Sequence, residues 1–333
     1  MEISNNTNME QPIYTNRINL ADLQQAVAAI RAEIGKIIVG QDRVVDLLIA
    51  ALLSDGHVLI EGVPGVAKTL TAKLLARTVS VKFSRIQFTP DLMPSDVVGT
   101  SVYSLKSNEF EFRQGPIFSN IILIDEINRA PAKTQSALFE SMEERQVTVD
   151  GKTYKLDVPF MVIGTQNPVE QEGTYRLPEA QLDRFLFKID VDYPTLVHET
   201  KILADWHARK NSLDIESVMP VITAQQLKEY REKVYSLHVE PNLLGYIAQI
   251  VGQTRNNAAL YLGASPRASL AILTSSKAIA AMRGRDFVTP DDIREVAPSV
   301  LQHRVMLTPE KEMEGLSSKD VVRQIIQQVE IPR

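Results

Sequence analysis

The pattern of apolar and polar positions divides this chain into two structural regions. In the first region, short apolar runs typical of buried strands alternate with stretches in which apolar residues recur every three or four positions, as in a helix. Three apolar runs, at positions 58–60, 121–124 and 160–163, and two segments of alternating apolar and polar residues, at 81–88 and 185–191, are predicted as core strands. Beyond Tyr193-Pro194 the pattern is nearly all helical and contains no convincing strand. An α/β core with a five-stranded parallel sheet, followed by an all-helical domain, is therefore predicted.

The same pattern sets the predicted domain boundaries. Residues 1–20 have little apolar surface to bury and are expected to form a flexible N-terminal tail. Residues 21–194 are predicted as the α/β core, which opens with two helices, and residues 195–333 as the helical domain. Helix starts in that domain are marked by N-cap residues at Thr223, Ser265 and Thr289.

Two β-hairpins are predicted as insertions in the core. The arms of the first are Ser101–Ser104 and Phe110–Arg113. The arms of the second, Gln146–Val149 and Thr153–Leu156, flank Asp150-Gly151, a dipeptide typical of two-residue hairpin turns. Such insertions are equally compatible with a functional role and with a surface elaboration.

Composition narrows the class of protein. The chain has 333 residues, of which 44% are hydrophobic and 23% charged, as in a globular domain. It has no apolar run of membrane-spanning length and no signal-peptide pattern at Met1–Gln11, so we expect a cytoplasmic protein. The absence of cysteine excludes disulfides, thiolate catalysis and zinc–sulfur sites. A net charge of −5 without a basic run argues against broad nucleic-acid binding by a monomer.

The strongest candidate site follows the first predicted strand. A turn with two glycines and a proline leads there into a helix, close to the pattern G-x-x-x-x-G-K-[ST]. Backbone N–H groups in such a turn, together with the helix N-terminus, bind nucleotide phosphates. Lys68 is expected to reach the β- and γ-phosphates, and the Thr69 hydroxyl to bind Mg²⁺. The expected nucleotide-binding residues are Gly62, Val63, Pro64, Gly65, Val66, Ala67, Lys68 and Thr69.

One position departs from that pattern. Ala67 stands where the last glycine is expected, while the spacing from Gly62 to Lys68-Thr69 is intact. Because alanine carries a methyl group, we expect ordinary backbone angles at this residue. A plain strand-to-helix turn with an incidental lysine is the structural alternative.

A second candidate site lies at the end of the strand at 121–124. Asp125 and Glu126 follow this strand directly, at the end where ligands bind in open α/β sheets. Asp125 is expected to hold Mg²⁺, and Glu126 to orient and deprotonate the attacking water. An apolar strand ending in Asp-Glu is commonly structural, but the presence of Lys68-Thr69 favours the functional interpretation.

Three further residues are candidates with open alternatives. Asn167 follows the strand at 160–163, so its amide could hold the attacking water or the γ-phosphate, or it could cap a turn before Pro168. Gln41, in the loop between the first two helices, could lie over the nucleotide base or belong to a plain turn. Arg267, in the first turn of a helix, opposes the helix dipole, which suggests an anionic ligand; the alternative is a surface arginine.

In this order the motifs resemble those of the MoxR family of AAA+ ATPases. The segments that carry the resemblance are Gly-Val-Pro-Gly-Val-Ala-Lys-Thr, Ile-Leu-Ile-Asp-Glu, Asp-Glu-Ile-Asn-Arg-Ala-Pro, Gly-Thr-Gln-Asn-Pro, Leu-Pro-Glu-Ala-Gln-Leu-Asp-Arg-Phe and Gly-Ala-Ser-Pro-Arg-Ala. The resemblance covers most of the chain and implies a P-loop NTPase (AAA+) core with a helical lid, which binds ATP and Mg²⁺.

The resemblance also implies roles for individual residues. Asn167 resembles the first sensor of the γ-phosphate, and Arg184 the arginine finger that reaches a neighbouring subunit's nucleotide. Arg267 resembles the second sensor on the lid, which would supply positive charge together with Lys68. Arg129 could also face a neighbour. The two hairpins resemble insertions that point at the pore or the substrate of related rings.

The implied function is chaperone-like. A ring, expected to be a hexamer, would hydrolyse ATP at subunit interfaces and remodel or mature partner proteins, by metal or cofactor insertion or by complex assembly. A protein with a von Willebrand factor A domain is an expected partner. The open alternatives are a nucleic-acid-dependent motor, a magnesium-chelatase-like motor subunit, a nucleotide-dependent scaffold with negligible turnover, and a small-molecule P-loop kinase.

Overall fold

The computed structural model describes residues 18–167, 177–210, 212 and 214–332. Nearly all of the predicted N-terminal tail lies outside the described residues. The strands are β1 (His57–Gly62), β2 (Phe83–Gln87), β3 (Gly99–Ser104), β4 (Glu109–Gln114), β5 (Ile121–Asp125), β6 (Gln146–Val149), β7 (Lys152–Lys155), β8 (Met161–Gln166), β9 (Phe185–Val191), β10 (Leu260–Leu262) and β11 (Met306–Leu307). The α-helices are α1 (Ala21–Gly35), α2 (Asp42–Leu53), α3 (Lys68–Thr78), α4 (Pro94–Val98), α5 (Ala132–Glu144), α6 (Glu179–Leu182), α7 (Leu196–Ala208), α8 (Ala224–Tyr235), α9 (Pro241–Arg255), α10 (Pro266–Met282), α11 (Pro290–Leu301), α12 (Pro309–Met313) and α13 (Ser318–Gln328).

The central sheet has five strands in the order β2-β5-β8-β1-β9, and every neighbouring pair is parallel. The predicted five-stranded parallel sheet is therefore confirmed. Because all strands run the same way, their carboxyl ends share one edge of the sheet. Ile60 pairs with Thr165 and Ile124 with Gly164, so the ends of β1, β8 and β5 lie side by side.

Helices cover both faces of this sheet, which explains why its inner strands are continuously apolar. Alternate residues of β5 belong to two different hydrophobic cores: Ile121 and Leu123 face one, and Ile122 and Ile124 face the other. The first core includes α1, α2, α3 and helices of the C-terminal region, whereas the second includes α5. The sheet is thus the middle layer of a three-layer sandwich.

The C-terminal lid region is helical apart from one short ribbon. Strands β10 and β11 pair antiparallel over three and two residues, which is too short for an alternating pattern to reveal. The capping boxes predicted at Thr223 and Thr289 are present and begin α8 and α11. The lid packs onto the core where α10 contacts α2 and α11 contacts β9.

Both predicted hairpins are present, as β3–β4 and β6–β7. Asp150 and Gly151 have positive φ angles of 50° and 76°, as a two-residue hairpin turn requires. The two hairpins contact each other, because the Phe112 ring stacks on Tyr154 with centroids 4.4 Å apart. Within the described residues, no helix combines the length and apolar character needed to cross a membrane.

Candidate active site

The loop between β1 and α3 forms the first part of the site. Helix α3 begins at Lys68, and Gly65 and Ala67 before it have φ angles of +85° and +59°. The expectation of ordinary backbone angles at Ala67 is therefore wrong. The tight turn into the helix imposes a left-handed conformation, which costs a non-glycine residue about 1–2 kcal/mol.

Lys68 connects this loop to the neighbouring strand. Its Nζ donates hydrogen bonds to the Gly62 carbonyl at 2.6 Å and to the Gln166 carbonyl at 3.5 Å. The amine therefore lies between the carboxyl ends of β1 and β8. Asn167 directly follows Gln166, so the structure brings Asn167 and Lys68 to the same edge of the sheet. Thr69 lies in the first turn of α3 at this edge.

Asp125 and Glu126 extend the same edge to β5. The Asp125 carboxylate accepts a hydrogen bond from Thr165 Oγ1 at 3.2 Å, and the Glu126 N–H donates to the same Oγ1 at 3.1 Å. Thr165 thus ties the two acidic residues to β8, two residues before Asn167. Three separate stretches of chain, which contain Lys68, Asp125-Glu126 and Asn167, thus meet at one edge of the sheet.

The Glu126 side chain is held by two polar neighbours. Its Oε2 accepts a hydrogen bond from Gln87 Nε2 at 2.9 Å and lies 3.1 Å from Arg129 Nη1. Glu126 also has a positive φ angle of 55°, which is uncommon for a residue with a long side chain. The structure therefore fixes both the backbone and the carboxylate of this residue.

Three residues of the site were not predicted from the sequence. Arg85 pairs with Asp125 at 2.6 Å, Gln87 binds Glu126, and Thr165 links Asp125 and Glu126 to β8. Arg85 and Gln87 lie on one face of a predicted strand, but only the sheet order places that strand beside β5. Once that order is known, the register of Gln87 opposite Asp125 identifies the contact.

The donor set at this edge fits a magnesium ion. Mg²⁺ is bound in phosphate sites by one or two carboxylates together with substrate phosphates, and it prefers oxygen ligands. The Asp125 carboxylate and the Thr69 hydroxyl supply such oxygens. No group of three or more acidic or histidine side chains that could hold a metal occurs in the described parts of the chain. The remaining ligands would therefore come from the nucleotide and from water.

A cavity of about 320 Å³ adjoins the loop between β1 and α3. It lies between that loop, the turn at Gly40-Gln41 and helix α7, and its lining includes Ile38, Val66 and Trp206. Gln41 Nε2 donates a hydrogen bond to the Val66 carbonyl at 2.7 Å. The structure thus places Gln41 against the candidate phosphate loop, beside an apolar cavity.

Arg184 and Arg267 lie elsewhere. Arg184 directly precedes β9, at the amino edge of the sheet, whereas Lys68 lies near the carboxyl edge. Both arginines contact Glu143 near the end of α5, at 3.1 Å for Arg184 and 2.6 Å for Arg267. The structure therefore brings the two arginines to each other, and does not bring Arg267 to the Lys68 end of the same chain.

Similarity to known proteins agrees with this geometry. A model of the ATPase family associated with various cellular activities (AAA) matches residues 57–187, and an AAA lid domain model matches residues 252–325. The chain is 44% identical to chaperone MoxR1 of Mycobacterium tuberculosis over 90% of this chain and 81% of that protein. It belongs to the MoxR family of AAA+ ATPases.

Two further proteins resemble this chain over nearly its whole length. The protein YeaC of Bacillus subtilis is 47% identical over 93% of this chain and 96% of its own length. A solved structure of a candidate ATPase from Cytophaga hutchinsonii has a TM-score of 0.87 and 41% identity, and the match covers 94% of this chain and 97% of that one. The fold of this MoxR-family chain, a P-loop core with a helical lid, is thus shared with a solved protein.

Proposed function

We propose that this MoxR-family ATPase hydrolyses ATP between neighbouring subunits of a ring. The observation that carries the proposal is the separation of the two halves of the site. Strand β9 has seven residues between Arg184 and the carboxyl edge, which is about 23 Å at about 3.3 Å per residue. An arginine side chain cannot span that distance, so Arg184 would act on the nucleotide of another copy.

The residues at the carboxyl edge would supply the remaining parts of the reaction. Lys68 and the backbone N–H groups of the preceding loop would bind the phosphates, and Thr69 and Asp125 would hold Mg²⁺, which neutralises phosphate charge. Glu126 would orient and deprotonate the attacking water, and Asn167 would contact the γ-phosphate. Phosphoryl transfer depends mainly on such positioning and charge neutralisation.

Mixing two inactive variants tests this arrangement. Lys68→Ala removes a phosphate ligand but keeps the arginines, whereas Arg184→Ala keeps the nucleotide site but removes an arginine worth about 10³- to 10⁵-fold in rate. We expect each variant alone to be inactive and an equimolar mixture to regain ATPase activity. About one quarter of the interfaces in a randomly mixed ring would pair an intact nucleotide site with an intact Arg184.

In the matched control mixture, a double variant takes the place of Lys68→Ala. Arg184→Ala mixed with the double variant Lys68→Ala/Arg184→Ala contains no intact interface and should stay inactive. Absence of recovery in the first mixture at every ratio, with mixed rings demonstrated by differently tagged subunits, would refute hydrolysis between subunits.

We also propose that the ring, expected to be a hexamer, remodels partner proteins. The name of the relative MoxR1, a chaperone, supports this class of function. Assembly or cofactor insertion in a client, together with a protein carrying a von Willebrand factor A domain, is the form that the family resemblance implies. Stimulation of the ATPase by DNA or RNA would instead support a nucleic-acid motor, for which the net charge of −5 gives no indication.

A further inference from the structure

One carboxylate at the amino edge of the sheet contacts two arginines with its two separate oxygens. Glu143 Oε2 lies 3.1 Å from Arg184 Nη1, and Glu143 Oε1 accepts a hydrogen bond from Arg267 Nη2 at 2.6 Å. The three residues come from α5, the start of β9 and the lid helix α10. Glu143 thus bridges the core and the lid through both arginines.

The two arginines depend on Glu143 to different degrees. Arg184 Nη1 also donates to the Phe139 carbonyl at 2.7 Å, so the core holds Arg184 independently. The Arg267 side chain is 52% exposed, and in the described part of the chain Glu143 is its hydrogen-bonding partner. Glu143 therefore determines where the Arg267 guanidinium lies relative to Arg184.

The positive charges of Arg184 and Arg267 explain why a carboxylate lies between them. Two guanidinium groups near the same carboxylate would repel each other without it, because both are permanently charged. Each guanidinium has five N–H donors, and the contacts with Glu143 use only part of them. The Arg267 side chain is half-exposed, so its remaining N–H groups are accessible. The pair thus keeps donors for an additional anionic ligand.

A second set of hydrogen bonds lies beside the bridge. Asp183, which precedes Arg184, accepts hydrogen bonds from Arg304 Nε at 2.7 Å and from Ser265 Oγ at 3.1 Å. Ser265 is the N-cap residue of α10, the helix that carries Arg267. The hydrogen bond between Ser265 and Asp183 therefore connects the start of α10 to the start of β9, while Glu143 defines the relative placement of the two arginine side chains.

We propose that Glu143 is a positioning residue that joins Arg184 and Arg267 into one two-arginine unit acting on the phosphates of a neighbouring subunit. This inference rests on the proposed function, in which Arg184 acts in trans. Glu143 itself touches no nucleotide. Its role is to offset the repulsion between the arginines and to hold Arg267 where both guanidinium groups can reach one triphosphate.

Substituting Glu143 tests the inference, with its sequence neighbour as the matched control. Glu143→Gln keeps the shape of the side chain but removes the charge, and we expect kcat to fall by about 10- to 100-fold because the arginines lose their alignment. KM for ATP should stay nearly constant, since the ATP-binding loop lies at the other edge. Glu143→Asp keeps the charge and should recover part of kcat. The control Glu144→Gln changes an exposed residue of the same helix and should retain wild-type kcat.

The Arg267→Ala background separates positioning from a general structural effect. If Glu143 acts through Arg267, Glu143→Gln should lower kcat little further once Arg267 is absent. An equal fractional loss in both backgrounds, or wild-type kcat for Glu143→Gln while Arg184→Ala and Arg267→Ala each lower kcat, would overturn the inference alone. Full activity of Arg184→Ala and Arg267→Ala would overturn the proposed function and this inference together.

Discussion

Two residues of the candidate active site, Ala67 and Glu126, have left-handed backbone conformations. Their φ angles are +59° and +55°, and neither is a glycine. Such conformations cost free energy and persist only where surrounding contacts fix them, which is common at functional sites. At Ala67 the turn into α3 imposes the angle, and at Glu126 the contacts with Thr165, Gln87 and Arg129 hold the residue.

The strain at Ala67 leads to a prediction about stability. Glycine adopts the left-handed conformation without the steric penalty of a methyl group, although it loses more entropy on folding. We expect Ala67→Gly to raise the free energy of unfolding of the nucleotide-free protein by about 0.5–1 kcal/mol. Denaturant unfolding monitored by circular dichroism measures this change.

The control is an alanine of the same helix with helical backbone angles. Ala72 is buried in the interior of α3, where glycine is unfavourable, so Ala72→Gly should lower the free energy of unfolding by about 1 kcal/mol. A similar loss in Ala67→Gly would contradict the interpretation that Ala67 is strained.

At the scale of elements, helix α7 is set close to the turn between α1 and α2. A Cβ atom added at Gly40 would lie 2.3 Å from His198 Nδ1 of α7, and Gly40 has a φ angle of +74°. The backbone conformation at Gly40 therefore favours glycine, and the His198 side chain leaves no space for a methyl group there. Because α7 and Gln41 line the cavity beside the phosphate loop, the position of α7 determines the shape of that cavity.

Displacing His198 of α7 should therefore weaken nucleotide binding. We expect Gly40→Ala to reduce the affinity for a fluorescent ATP analogue by about tenfold, because the added methyl group displaces the His198 side chain, which lines the cavity, and strains the turn. Gly35→Ala is the matched control, since a Cβ atom there meets no atom within 4 Å. Equal affinities of the two variants would show that the cavity does not receive the nucleotide.

At the scale of the whole molecule, two buried histidines connect stability to pH. Burial lowers the pKa of His57 from 6.5 to about 3, and burial also lowers the pKa of His303 well below its usual value. His57 Nδ1 accepts a hydrogen bond from the Val162 N–H at 3.0 Å, which requires an unprotonated Nδ1. Nearby positive charge on Arg145 disfavours the protonated form further.

The sign of the pH effect follows from these shifts. Below pH 6.5 the unfolded chain binds protons that the folded chain does not, so the free energy of unfolding falls as the pH is lowered from 6.5 towards 3. The limiting slope is about 1.4 kcal/mol per pH unit for each histidine. We expect urea unfolding to show a clear loss of stability between pH 7 and pH 5.

A pair of variants isolates the contribution of His57. Asparagine can also accept a hydrogen bond from the Val162 N–H but does not titrate, so His57→Asn should reduce the slope between pH 7 and pH 5. The control is His238→Asn, at a side chain that is 64% exposed. The same slope in His57→Asn and in the wild type would exclude His57 as a source of the acid sensitivity.

The local features of this protein were predictable from its sequence. The loop at 62–69, the strand that ends in Asp125-Glu126 and both hairpins are contiguous stretches, and their identity depends on periodicity and spacing over a few residues. The apolar runs of β1, β5 and β8 became the inner strands because helices cover both faces of the parallel sheet. These stretches also carry the motifs by which the chain resembles its family.

Contacts between distant residues were decided only by the tertiary structure. The strand order brings Gln87 to Glu126, and lid packing brings Arg267 to Glu143, 124 positions away in the chain. The periodicity of a strand does not specify its neighbours in the sheet, because the strand order depends on how all three layers of the fold pack together. The left-handed angle of Ala67 has the same origin: it is imposed by the turn that joins a buried strand to a packed helix, and the residue type alone would not choose it.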